Sequence, residues 1–392
     1  PNNTGVQNWI PYPPPTPIPG QGEVSNEGGI NETNAVALNP DGFPQDSCTL
    51  PRTYSETLAD KPRCQYEYSL KWGLSMGANA NIAMPEQIRS PQPFQLQGDY
   101  AEAWSLGYNQ FYMYCHYLAD LQLRRILEGL DTNGLAENTI VVFLSDHGEM
   151  GGAHGGMIQK WHNAYEETVR VPMVFSSPLL NADAGAMREI PQPTSSIDLA
   201  PTLLGLAGFS PEALRRHLRD CDRVGVKPFP GADLTEHVLG INTDAIEGPD
   251  GMARPGVFFM TNDTITEIGP APDDPKPAQY QAFLASVEAE MDAGLDLAPG
   301  PVCQPNTVHA FCTGDWKIVR YADPNGVEAD EWELYCLTAD PVEAVNLVDF
   351  ATGVLREDAA VAGMTRLQLE TKHDQLKTAL ARQEVALFGA VV

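Results

Sequence analysis

Thr139-Ile140-Val141-Val142-Phe143-Leu144-Ser145-Asp146-His147-Gly148-Glu149 decides the fold. Its first six residues are β-branched or apolar without a break, which predicts a buried strand in a parallel sheet. Upstream, Leu106, Phe111, Cys115, Leu118, Leu121, Ile126 and Leu130 recur mostly at steps of three to five, and Gly134 follows. That spacing predicts a long amphipathic helix with a glycine stop. Helix, short loop and buried strand together signal an α/β sheet. In such sheets ligands bind beyond the carboxyl ends of the strands, where Asp146 and His147 stand.

Further from this core, Val169–Phe175 is a second strand candidate, and Ser196–Ala207 reads as a helix closed by Gly208. Residues 209–302 are loop-rich, with short helices near 211–218 and 280–292. From Val308 onward, 309–311, 316–321 and 333–337 read as short strands of a small antiparallel sheet, and a polar helix over 365–383 closes the chain. Residues 1 to about 60 are rich in Pro, Gly and Asn, with Pro13-Pro14-Pro15, and read as irregular chain. The organisation expected is therefore an irregular segment (1–60), an α/β part (61–302) and a small antiparallel subdomain with its terminal helix (303–392).

The 392 residues carry 24 Lys+Arg against 52 Asp+Glu, a formal charge of -28. A field of that sign repels nucleic acid and anionic membranes, so neither is expected as a partner. No apolar stretch reaches the length of a membrane span. Seven cysteines, at 48, 64, 115, 221, 303, 312 and 336, lack CxxC spacing, which argues against a zinc knuckle. Cys303 and Cys312 are close enough in sequence to pair.

An adjacent carboxylate and imidazole leaving a strand can turn toward one ion, because the chain no longer alternates faces there. Gly148, Gly151, Gly152, Gly155 and Gly156 let the backbone fold tightly behind them. His154 and Lys160 follow on the same loop. A divalent cation on Asp146 and His147, with an ammonium nearby, would suit an anionic tetrahedral group. Either residue alone after a strand would read as a turn or cap.

The whole run from Asn138 to Val174 resembles the second metal-binding segment of the sulfatase family, within the alkaline phosphatase superfamily. The shared features are an apolar strand ending in Ser-Asp-His-Gly, a glycine-rich loop leading to Lys160, then Tyr165-Glu166-Glu167 and Arg170-Val171-Pro172. The helix end Ile126–Leu130, the run Ser195–Leu204 with Asp198 and Pro201-Thr202-Leu203-Leu204, and Trp316–Tyr321 with Glu333-Leu334-Tyr335 also resemble family segments, in the same order.

The resemblance implies an alkaline-phosphatase-like mixed sheet flanked by helices, present here in part. It implies hydrolysis of a small sulfate ester or sulfated sugar, one divalent cation (calcium, with manganese as the alternative) and a formylglycine nucleophile. It also favours a periplasmic or secreted location. Asp146 and His147 match two metal ligands, Lys160 matches the lysine that touches the sulfate or leaving oxygen, and His154 stands where relatives often have histidine. The family commonly has Asn at the position of His147. The His form is shared with phosphonate monoester hydrolases, so a phosphonate or phosphate diester hydrolase is the alternative, and a non-catalytic fragment the third reading.

The C/S-x-P-x-R motif that yields formylglycine is absent. Cys48-Thr49-Leu50-Pro51-Arg52 has the wrong spacing and reads as a loop cysteine; Asp273-Asp274 lies in a Pro-rich loop and reads as solvated surface. The expectation is that an upstream segment, or a second chain, supplies the nucleophile and first ligands, and that the 392 residues alone are inactive. Trp104, Tyr108, Phe111 and Tyr112 follow helical spacing and read as core, and His116 as a packed or solvent-edge side chain. His162 reads as pocket-lining or surface, Asp198 as a helix-terminal anion, and Lys317 and Arg320 as solvated.

Overall fold

The computed structural model describes residues 23–25, 31–33, 49–80, 101–180, 187–210, 213, 216, 229–248, 251–262, 278–300 and 302–389. In chain order these form β1 (Glu23–Ser25), β2 (Asn31–Thr33), α1 (Arg63–Ala80), α2 (Ala101–Thr132), β3 (Val141–Leu144), β4 (Met173–Ser176) and α3 (Leu199–Leu206). They continue with α4 (Thr235–Leu239), β5 (Val257–Asn262), α5 (Ala278–Asp292), β6 (Thr307–Cys312), β7 (Trp316–Ala322), β8 (Glu331–Cys336) and α6 (Arg366–Phe388). The helix expected near 211–218, Cys48, Asp273, Asp274 and the side chains of Trp104 and Phe111 fall outside the described residues.

The sequence pattern places α2, β3, β4 and α3 where they are found, but β3 differs from expectation in direction and burial. It pairs antiparallel with β4, Val142 opposite Phe175 and Phe143 opposite Val174. Phe143 and Val174 remain 46% and 49% exposed. An apolar run reports that a strand's faces are apolar, not which neighbour it meets; here the 145–172 loops return the chain alongside β3. The opposite side of this ribbon does pack, with Ile140 and Phe175 against Leu180, Ala232, Leu234 and Val238.

The carboxyl-terminal sheet is antiparallel, ordered β5-β6-β7-β8. It recruits β5 from the stretch that reads as loop-rich. Both faces of β7 are covered, so alternate residues enter two cores. Trp316 and Ile318 pack with Leu334, Leu347, Leu369, Leu376 and Leu380, the last three from α6. Val319 and Tyr321 pack with Tyr68, Met150, Met157 and Tyr165 on the other side. Thr365 caps α6, its hydroxyl accepting from the Gln368 N–H in a capping box, and Gly389 ends it in a left-handed conformation.

Double coverage of β7 overturns the solvated reading of Lys317 and Arg320. Lys317 shares a face with Val319 and Tyr321 and is buried; Arg320 is buried against Asp330 and Glu384. Cys303 and Cys312 are both free thiols, so the pairing considered for them is not formed. α1, which the sequence pattern did not reveal, is amphipathic only in part: Cys64, Gln65, Glu67, Tyr68 and Lys71 are all buried. Its polar members have partners, Lys71 with Glu67 and the Ala298 carbonyl, and Gln65 with Tyr321 and Tyr165.

Candidate functional site

The glycine-rich loop after β3 closes on itself. The Met150 N–H donates to the Gln159 carbonyl at 2.8 Å and the Gly152 N–H to Met157 at 2.7 Å. Glu149 accepts from the N–H groups of Gln159 and Gly151 at 2.7 and 3.1 Å. These bonds bring Gln159, the neighbour of Lys160, back against Glu149 and Met150. Helix α2 braces the loop: Tyr108 bonds the Glu149 carboxylate and Asn109 donates to the Gly151 carbonyl. Burial and the Glu149 charge together push the Tyr108 phenol up. Tyr108 thus anchors the loop rather than serving only as core, and Tyr112 packs tilted against the exposed His116 ring.

Asp146 is at the exposed apex, its side chain 83% accessible. Its Oδ1 accepts the His147 N–H at 2.9 Å, and its Oδ2 lies 3.4 Å from His147 Nε2. His147 Nδ1 lies 2.8 Å from the Gly148 carbonyl. A carbonyl only accepts, so Nδ1 donates to it, and Nε2 faces the Asp146 carboxylate. The His147 N–H, then the His147 ring and Lys160, hold the Asp146 carboxyl below its usual value. Lys160, half-buried with its ammonium 4.9 Å from the Trp161 ring, therefore acts on the same locus. Asp146 and His147 adjoin at one surface, and Lys160 is near enough for its charge to act on Asp146.

His154 does not share that surface. Its side chain is fully buried, stacked on Tyr165 at 3.6 Å, with Nδ1 2.8 Å from Glu56 and Nε2 3.8 Å from Glu167. Burial alone would lower its pKa, but hydrogen bonds to Glu167 and Glu56 outweigh it and the imidazole pKa is raised. Its φ of 50° is left-handed, fixed by its own N–H on Thr53 Oγ1 and the Gly155 N–H on the Thr53 carbonyl. His162 is buried too, edge-on to Tyr68, and is not at the surface.

The spacing of Asp146 Oδ2 and His147 Nε2 fits two neighbouring ligands of one cation held at about 2.3–2.6 Å. The Gly148 carbonyl fixes the imidazole in the orientation a ligand needs. Among the described residues, no third His, Cys, Asp or Glu joins them in a metal-holding group. The chemistry of the pair, a hard carboxylate and an oriented imidazole, suits a divalent ion, but two donors do not complete a coordination set.

Sequence reasoning missed Glu56, Lys61, Glu149 and Glu343. Glu149 lies within the decisive run, yet a carboxylate bound to backbone N–H groups has no sequence signature. Glu56 and Lys61 come from the stretch around 49–61, which turns out to strap the glycine-rich loop.

Residues 54–209 match the family model named Sulfatase. The chain is 38% identical over 110 residues to an uncharacterised sulfatase, YidJ, of Escherichia coli K12, covering 28% of this chain and 21% of that protein. It is 31% identical over 168 residues to an ulvan-active sulfatase of Formosa agariphila, covering 43% and 29%. A solved protein in complex with its substrate D-glucosamine-2-N,6-O-disulfate superimposes with a TM-score of 0.51 at 18% identity, over 88% of this chain and 60% of that one. The chain aligns with less than a third of either curated relative. Residues 54–209 are thus similar to the sulfatase family, and the fold is similar to that of a sulfated-sugar-binding protein of known structure.

Proposed function

We propose that this chain forms the cation and leaving-group side of a sulfuric ester hydrolase acting on an aryl sulfate or a sulfated sugar. The reading is supported by the 3.4 Å approach of Asp146 Oδ2 and His147 Nε2, with the Lys160 charge helping to lower the Asp146 carboxyl, in a segment that matches the sulfatase family model. Asp146 and His147 would hold one divalent cation: the carboxylate favours calcium, and the imidazole also admits manganese. Bound there, the cation would supply Lewis-acid charge to an ester oxygen. Lys160 would hold the sulfate or the departing oxygen by its ammonium. His154, buried among carboxylates, would position the loop.

Calcium takes six to eight ligands, so two protein donors need company. In this reading the further ligands and the nucleophile, a formylglycine by family resemblance, come from a segment upstream of Pro1 or from a second chain. Sugar sulfates are favoured as substrates by the ulvan-active relative and by the disulfated glucosamine bound in the structural neighbour. His147 supports one competing reading, a phosphonate or phosphate diester hydrolase.

The test compares release of sulfate from an aryl sulfate with cleavage of the matched phosphodiester, in the longest natural form of the protein. Sulfate release that disappears in Asp146→Ala and Lys160→Ala supports the reading. Full activity in Asp146→Ala, or a large preference for the phosphodiester, removes it.

A further inference from the structure

We infer that a closed ring of buried and half-buried charges, anchored in the carboxyl-terminal sheet, positions the Asp146–His147 loop. The ring begins at Lys317 on β7, whose ammonium is 2.8 Å from Glu166 and 2.8 Å from Glu343. Glu343 also accepts the backbone N–H of Glu166 at 2.7 Å, and its own carbonyl accepts from Lys61 at 2.7 Å. Lys61 pairs with Glu56 at 3.2 Å, and Glu56 binds His154 at 2.8 Å. His154 faces Glu167 at 3.8 Å, and Glu167 is the neighbour of Glu166, which closes the circuit. Tyr165 fills it, stacked on His154 and hydrogen-bonded to Gln65 and Glu333.

The ring grips the first two residues of one short turn, Glu166–Val169, and the far end of that turn carries the loop. The Gly148 N–H donates to the Thr168 carbonyl at 2.8 Å. The contact is so close that a Cβ on Gly148 would stand 1.9 Å from the Glu167 carbonyl oxygen. Gly148 directly follows His147 and supplies the carbonyl that orients its ring. Displacing the turn therefore displaces the imidazole. Lys317 and Glu343 touch no substrate in this account; they are positioning residues that act through Glu166.

A chain of ion pairs is a costly way to fill a core, since apolar side chains of similar volume are often as stabilising. What charged groups add is direction where they are hydrogen-bonded, as Glu343 Oε2 is to the Glu166 N–H and Glu56 Oε2 to His154 Nδ1. The functional consequence rests on the proposed cation site, whereas the mechanical claim does not.

The test is amide hydrogen exchange by NMR at Gly148, with Ile318 in β7 as the internal reference. In Glu343→Met the Glu166 N–H loses its acceptor, and Gly148 exchanges at least about tenfold faster while Ile318 stays protected. Glu343→Gln keeps an acceptor for that N–H and holds Gly148 within about threefold of the parent. The double variant Lys317→Met/Glu343→Met replaces the pair by apolar volume, so it stays folded even if Glu343→Met alone does not, and Gly148 again exchanges fast. Slow Gly148 exchange in the folded double variant overturns the inference. So does fast exchange in Glu343→Gln equal to that in Glu343→Met. Because none of these readouts requires turnover, a protein that behaves as stated yet releases no sulfate would keep the ring and lose only the proposed reaction.

Discussion

Asp198 grips Arg254 with both carboxylate oxygens, at 2.7 and 2.8 Å, while fully buried. It also accepts the N–H groups of Ser195 and Ala232. Asp146, by contrast, stands in solvent, and its one hydrogen bond among the described residues is from the backbone N–H of its neighbour His147. The two aspartates therefore separate stability from activity. Asp198→Ala leaves Arg254 buried without its partner and lowers unfolding free energy by about 3–5 kcal/mol. Asp146→Ala changes it by less than about 0.5 kcal/mol, as for an exposed side chain. In the proposed reaction, assayed in the longest natural form of the protein, sulfate release nonetheless falls at least about 100-fold, the upper end of what losing even an outer partner of a metal ligand costs. Urea unfolding and sulfate release on both variants check the pair. A strongly destabilised Asp146→Ala would contradict the assignment of that residue to the site.

Gly148→Ala is the sharpest probe of the loop. The new methyl meets the Glu167 carbonyl oxygen at 1.9 Å, and both groups are backbone, so neither can rotate away. The loop or the turn must move. The expected cost is about 1–3 kcal/mol, as for other overpacked sites, together with loss of sulfate release greater than that cost explains. The comparison is with Gly134→Ala, where nothing stands within 4 Å although φ is +67°. That variant bears only backbone strain, about 1 kcal/mol, and keeps its activity.

The legible part of the sequence was the part where one rule governs one segment. α2 and β3 follow from apolar spacing, with Gly134 beyond the helix, and α6 from a polar helical run over 365–383; Asp146, His147 and Lys160 were singled out by their placement on a loop after a strand. What escaped was set by contacts distant in the chain. The apolar run of β3 promises burial, yet Phe143 and Val174 face outward, because coverage depends on what lies across from them. Lys317 looked like a solvated strand residue. Its period-two companions Val319 and Tyr321 are core, and that alternation was the available signal that it points inward. Glu343 had no such signal, since its partners Lys317 and Lys61 are defined only by the fold. His154 was found as a chemistry-bearing residue, but its burial against Tyr165 depends on the strap near Thr53, which reads as structureless chain.

α6 should be held mainly by its apolar face. Leu369, Leu376 and Leu380 are each nearly inaccessible against β6, β7 and β8, and the capping box at Thr365 adds a local contribution. Leu376→Ala should lower stability by about 2–5 kcal/mol, the range for emptying a buried leucine site. Thr365→Ala should cost about 1 kcal/mol. Thermal unfolding followed by circular dichroism distinguishes the two. Equal small losses would mean that the helix is not bound to the sheet by that face.

The ring of charges also sets a pH window. His154 has its pKa raised above 6.5 in the folded protein, because Glu167 and Glu56 outweigh burial and the opposing Lys61. Its contribution to stability is therefore complete below about 6.5 and is lost as pH rises through the folded value. Glu56 and Glu167 have pKa values lowered below 4.5; burial opposes the shift, and His154 outweighs it, with Lys61 aiding Glu56 and Lys317 aiding Glu167. Their contribution is present above 4.5 and is lost as pH falls through the folded values. The ring should thus stabilise most between about 4.5 and 6.5. Glu343 adds to the alkaline slope: burial pushes its carboxyl up to about 7, so stability falls as pH rises from 4.5 to that value. Comparing the parent with His154→Asn isolates the imidazole, since asparagine tolerates the left-handed backbone at this position. Urea unfolding from pH 5 to 9 should show a decline in the parent that is shallower in His154→Asn. Parallel curves across that range would mean that His154 is not protonated between its two carboxylates.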